Sequence, residues 1–107
     1  MLKFHNKVFV CTSTESSSEI ATETTFYFKQ IKNIVKATYN GKGIVYGELI
    51  GMINNQGILQ ATFNYLNAYS RISGGTCTMI LEGNTLRGIW TVVDENLIES
   101  ELILEEI

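Results

Sequence analysis

Side chains alternate in character with a period of two along most of this chain. In the stretch TTFYFK, Phe26 and Phe28 share one face while Thr25, Tyr27 and Lys29 share the other. In IVKATY, Val35, Ala37 and Tyr39 oppose Ile34, Lys36 and Thr38. In LQATFNYL, Leu59, Ala61, Phe63 and Tyr65 oppose Gln60, Thr62 and Asn64. A period of two places one set on a core and the other in solvent, which is the pattern of half-buried strands. No comparable run has helical spacing, and the absence of proline leaves sheet ladders uninterrupted.

Turn signals punctuate this pattern at regular intervals: TESSS, QIKN, NGKG, NNQG, NAYSRISGG, EGN and DEN. Seven turns separate eight strands, predicted near 7–14, 22–29, 34–40, 43–53, 58–67, 75–82, 85–93 and 97–105. Short connections pair neighbours as antiparallel hairpins, and a meander of this length can remove its exposed edges by closing on itself. The expected fold is therefore all-β: one domain over residues 1–107, an eight-stranded antiparallel up-and-down barrel, with a two-sheet sandwich as the alternative.

Alternation also predicts an inward set. It comprises Phe9, Cys11, Phe26, Phe28, Val35, Ala37, Tyr39, Leu59, Ala61, Phe63, Tyr65, Cys77, Met79, Leu81, Leu86, Trp90, Val92, Leu102 and Leu104. The fourth strand is apolar on both faces, with Val45, Leu49 and Ile53 on one and Ile44, Tyr46, Ile50 and Met52 on the other. A strand apolar on both sides is expected to be covered on both sides, here by the core and by a partner or second copy.

Several function classes find little to stand on. A net charge of -3 does not suit a nucleic-acid surface. No stretch approaches the length of a membrane helix, and no apolar core of a leader follows Lys3 or Lys7, so a cytoplasmic protein is expected. Cys11 and Cys77 stand far apart and His5 is the single histidine, so neither a metal site nor another cofactor is expected. Gly41, Gly43 and Gly47 do not have the spacing of a dinucleotide loop, and the lysine of NGKG lacks the hydroxyl of a phosphate loop. NGKG reads instead as a hairpin tip using positive φ, and Gly47 and Gly51 as bends in a closing sheet. Glu99, Glu101 and Glu105 alternate with apolar residues and read as a solvated face.

The stretch from Phe26 to Asn67 resembles a family of small bacterial proteins. In that family an aromatic strand precedes a segment of the form ATYxGxGIxxGxLIG and then xxGxLxxxYxxxN. Ala37 to Gly51 and Gly57 to Asn67 match these parts, followed by GGTC at Gly74 to Cys77, GNTLR at Gly83 to Arg87, Trp90, and Glu105 with Glu106. Members often carry the designation N-acetylglutamate synthase, which implies acyl transfer from acetyl-CoA to glutamate. This chain has no Gly-rich turn leading from a strand into a helix, with which common acetyltransferases hold the acetyl-CoA pyrophosphate. The family pattern also has a histidine where this chain has Tyr65, so an acid–base role there would not carry over. In architecture the resemblance points to lipocalin-like and avidin-like barrels.

Three functions follow as expectations. The first is non-enzymatic binding of a small, partly apolar ligand in the mouth or bore. Tyr39, Tyr65 and Trp90 would line the site, and Arg71 or Arg87 would pair a carboxylate. The second is a packed barrel acting as a homodimer or protein-interaction module through the fourth strand. The third is the acyltransferase. Interior volume separates the first two, since a bore of about 300 Å³ or more would hold a ligand and a filled one would not.

Overall fold

Eight strands form where the alternation places them, because each buries its apolar row against the others and pairs its backbone with two neighbours. The computed structural model describes residues 3–15, 18–93 and 97–107. The strands are β1 (Val8–Ser13), β2 (Thr25–Ile31), β3 (Ile34–Asn40), β4 (Ile44–Ile53), β5 (Ile58–Asn67), β6 (Ile72–Glu82), β7 (Thr85–Val93) and β8 (Leu97–Glu106). Each pairs antiparallel with the next, and β8 returns to pair with β1, so the sheet is a closed barrel. Closure leaves every strand with two neighbours and excludes the sandwich alternative. The expected turn at Asp94–Asn96, and positions 16 and 17 of the polar stretch after β1, lie outside the described residues.

The bounds of β3, β5 and β7 match expectation, and three departures have physical causes. First, β6 starts at Ile72 rather than 75, because Ser73, Gly74 and Gly75 pair with Tyr65, Asn64 and Phe63 of β5 instead of turning. Second, β2 is displaced toward Ile31, with Gln30 and Ile31 in the ladder and the turn reduced to Lys32 and Asn33. Third, the register of β4 shifts between Ile44 and Tyr46. One inserted residue changes the face of everything before it. Ile44 therefore points inward with Gly47 and Leu49, while Val45 joins Tyr46, Ile50 and Met52 on the exposed outer face.

The bore is packed with rings. Phe26 stacks on Tyr39 with centroids 4.6 Å apart, Trp90 meets Phe63 at 4.5 Å, and Trp90 stands edge-on to Tyr39 at 6.2 Å. Trp90 Nε1 donates to Met79 Sδ at 3.1 Å, and the Tyr39 hydroxyl donates to the Asn64 carbonyl at 3.2 Å. The expected inward set is buried, except that Leu81 and Val92 are only partly so. One end is closed by a segment that alternation does not reveal. Phe4 is fully buried against Phe28 at 4.9 Å, its N–H donates to the Gln30 side chain, and His5 Nδ1 accepts the Gln30 backbone N–H.

The cysteines are inert parts of this core. Both are free and buried, and β1 and β6 are not paired, so no disulfide joins them. Burial raises the Cys11 thiol above its ordinary value and pushes that of Cys77 up to about 12. Because a thiol ionises more readily in the unfolded chain, stability from this source is complete below about pH 9. It declines as pH rises toward 12, with a limiting slope of about 1.4 kcal/mol per pH unit. A native sample at pH 8 is expected to leave both thiols unmodified by an aromatic disulfide reagent, while urea-unfolded chain reacts at once. Rapid reaction of the folded protein would show that the strands open far more readily than this packing implies.

Candidate functional site at the barrel mouth

The two ends of the barrel differ in chemistry. The end closed by Phe4 carries the turns at 32–33, 54–57 and 83–84. At the other end, among the described residues, three segments meet: the connection after β1 (residues 18–24), the β3–β4 tip (41–43) and the β5–β6 turn (68–71). That end is the mouth.

The last two inward positions of β5 are Tyr65 and Asn67, both buried. Tyr65 lies one inward step nearer the mouth than Phe63, and the two rings are parallel with centroids 6.2 Å apart. Phe63 in turn rests on Trp90. Asn67 Oδ1 accepts the backbone N–H groups of Tyr69 and Arg71 at 2.9 and 3.0 Å, as an Asx-type turn requires. This fixes the amide and aims Nδ2 into the mouth. The Tyr65 hydroxyl and Asn67 Nδ2 both donate, each at 2.9 Å, to the two carboxylate oxygens of Glu19. The next residue, Ile20, is 2% exposed and belongs to the core.

The glycines of the β3–β4 tip are explained by this arrangement, and not by positive φ, which neither Gly41 nor Gly43 adopts. A Cβ on Gly43 would lie 2.9 Å from the Glu19 carbonyl oxygen, and one on Gly41 would lie 2.5 Å from Thr24 Oγ1. The tip carries no side chains at these two points because the loop after β1 lies against it. The Gly43 carbonyl also accepts the N–H of Ala68, joining the tip to the β5–β6 turn.

The expected site residues separate in space. Tyr39, Tyr65 and Trp90 do face the bore, at 0%, 3% and 1% exposure, but Tyr39 and Trp90 are enclosed by other rings. Of the three, only Tyr65 presents a polar atom to the mouth. Arg71 is exposed on the β5–β6 turn at the mouth end. Arg87 is on the outer face near the opposite end, paired with Glu82 at 3.2 Å. Glu19, Ile20 and Asn67 were not among the candidates. Asn67 carried a local signal, an asparagine at a strand end before a turn, whereas Glu19 and Ile20 sit in a polar run with no period.

A well-defined cavity lies outside the bore. It is a groove of about 590 Å³ across the outer face of β2–β5, flanked by Tyr27, Lys29, Lys36, Tyr46, Glu48 and Ile50. Among the described residues no group of three His, Cys, Asp or Glu side chains could hold a metal ion.

Comparison with curated proteins and with solved structures gave no match. The family model described as avidin-like protein matches residues 2–107, which takes in all eight strands, the mouth and the terminal segment that closes the other end. With this match over almost its whole length, and a closed eight-stranded meander to go with it, the chain belongs to the avidin-like protein family.

Proposed function

We propose that the protein binds a small, partly apolar ligand at the mouth of its barrel, as a binding protein rather than a catalyst. An avidin-like barrel is an architecture suited to small ligands, and the mouth is where this one offers recognition chemistry. The single observation that carries the reading is the convergence of Tyr65 Oη and Asn67 Nδ2 above the Phe63–Trp90 floor. The packed bore counts against a ligand held in the interior and in favour of the interaction module, so of the expected mouth or bore only the mouth is kept as the ligand site. Tyr39 and Trp90 then support its floor instead of touching the ligand.

Native mass spectrometry of protein purified from its own host tests this reading, because it reports a retained small molecule directly. Tyr65→Phe removes one donor and keeps the ring. It is expected to lower the affinity for the retained molecule about tenfold, while costing the fold only about 1 kcal/mol. Acetyl-CoA with L-glutamate belongs in the same set of trials, since turnover of that pair would replace binding by acyl transfer as the function. Absence of any retained or added ligand would remove the binding reading.

A second reading is favoured by the outer face. Ile50, Met52, Ile34 and Ile31 are exposed beside the groove on β2–β5, so a packed barrel could act through this face on a second copy or another protein. Sedimentation of the wild type against Ile50→Lys distinguishes it: a dimer abolished by the lysine supports this reading, and a monomer in both removes the self-association form of it.

A further inference from the structure

Glu19 is exposed as a residue, yet both of its carboxylate oxygens are engaged by donors on another element. A carboxylate in water gains little by such contacts unless the donors are already in place. Here they are. Tyr65 is held by the strand and by its stack on Phe63, and Asn67 is locked by the two turn N–H groups on its other amide atom. Neither depends on the loop for its position.

Apart from its backbone contact with Gly41 and Gly43 of the β3–β4 tip, the loop reaches the barrel through few side chains. Between Ser18 and Glu23 only Ile20 is buried. The backbone bonds of Ser18 and Thr24 run to Glu15 and Ala21, and the Ile20 N–H is satisfied by the Ser18 hydroxyl, all within the same connection. The loop is fastened to β1 at its base, where Cys11 exchanges bonds with Glu23 and Thr24. Toward β5 the loop presents the Glu19 carboxylate, and the next residue, Ile20, is buried in the core.

We infer that Tyr65 and Asn67 form a carboxylate site now filled by the chain's own Glu19, and that a small monocarboxylate with a branched aliphatic chain binds there by displacing Glu19 and Ile20. The inference rests on the mouth being the ligand site and adds the ligand class and its competitor. The donors match the acid, the buried position of Ile20 matches the alkyl part, and Arg71 adds positive charge to the same turn. A site filled internally binds external ligand only in the fraction of molecules whose loop is displaced, so its apparent affinity is reduced by that fraction.

The test is calorimetric titration with 3-methylpentanoate and with its neutral amide. It uses the wild type, Glu19→Ala, Ile20→Ala and the double variant Glu19→Ala/Tyr65→Phe. Glu19→Ala is expected to bind the acid about tenfold or more tightly than the wild type. Ile20→Ala keeps every charge in place and is expected to move in the same direction, which separates loop displacement from relief of charge repulsion. The amide is expected to bind at least about tenfold more weakly than the acid, and Tyr65→Phe to reverse most of the gain. As an independent readout, acetate is expected to raise the melting temperature of Glu19→Ala but not of the wild type, by refilling the vacated position.

Equal affinity of wild type, Glu19→Ala and Ile20→Ala for the acid would overturn the competition. Equal binding of acid and amide would overturn the ligand class. In both cases the mouth reading survives if Tyr65→Phe still weakens binding. Should neither probe bind any variant, this inference fails, and a molecule retained by host-purified protein that Tyr65→Phe releases would show that the mouth reading still holds.

Discussion

Trp90→Ala is expected to destabilise the barrel by about 4 kcal/mol, measured as a lower urea midpoint by far-ultraviolet circular dichroism. The indole is 1% exposed, meets Phe26, Tyr39 and Phe63, and gives its N–H to Met79 Sδ. Truncation removes these contacts and leaves a void that strands paired on both sides can relax into only in part. Against a total stability of roughly 5–15 kcal/mol, most molecules would stay folded in the cold but melt far earlier. The void would be apolar, so indole added to the variant is expected to restore part of the lost stability. The outcome bears on function as well as folding. A cost near 1 kcal/mol would mean that the ring is loosely held and the interior is open, which would return the ligand site to the bore.

The sequence disclosed the architecture because the physics that forms a barrel is local and periodic. Each strand reports its own inward face every second residue, and the short turns leave antiparallel neighbours as the simple topology. Tyr39, Tyr65 and Trp90 could be placed inside on that ground alone. The fold is not legible in the sequence where that periodicity is broken or absent. The register shift after Ile44 exchanges the faces of Ile44 and Val45, and a strand apolar on both sides gives no sign of it. Gly74 and Gly75 look like turn residues in sequence, but continue the ladder opposite Asn64 and Phe63. Phe4 and Ile20 are single apolar residues in polar surroundings, and only the three-dimensional return of their segments onto the barrel ends reveals their role. The mouth was hidden for the same reason. One partner, Tyr65, lies on a regular strand and was visible, whereas Glu19 reaches it across 46 positions of chain.

Gly47→Ala is the second substitution expected to be severe, at about 3 kcal/mol, the upper part of the usual range for overpacking. Gly47 faces inward on β4 opposite Tyr39 of β3, and the Tyr39 ring lies across the space a side chain would fill. A Cβ there would overlap Cε2 and Cζ and stand 2.8 Å from Cδ2. The ring cannot step aside cheaply, because Phe26 is stacked on it and its hydroxyl is tied to the Asn64 carbonyl. The residue pair can be tested as a cycle. Tyr39→Leu alone should cost a few kcal/mol through lost packing, but it also removes the atoms that alanine would strike. The double variant should then be less destabilised than the sum of the two, by about 1–2 kcal/mol. Simple additivity would mean that Gly47 serves the bend of the strand instead of the ring. Strong coupling would establish that β4 gives up a side chain to seat Tyr39, which is how this small barrel fills its interior.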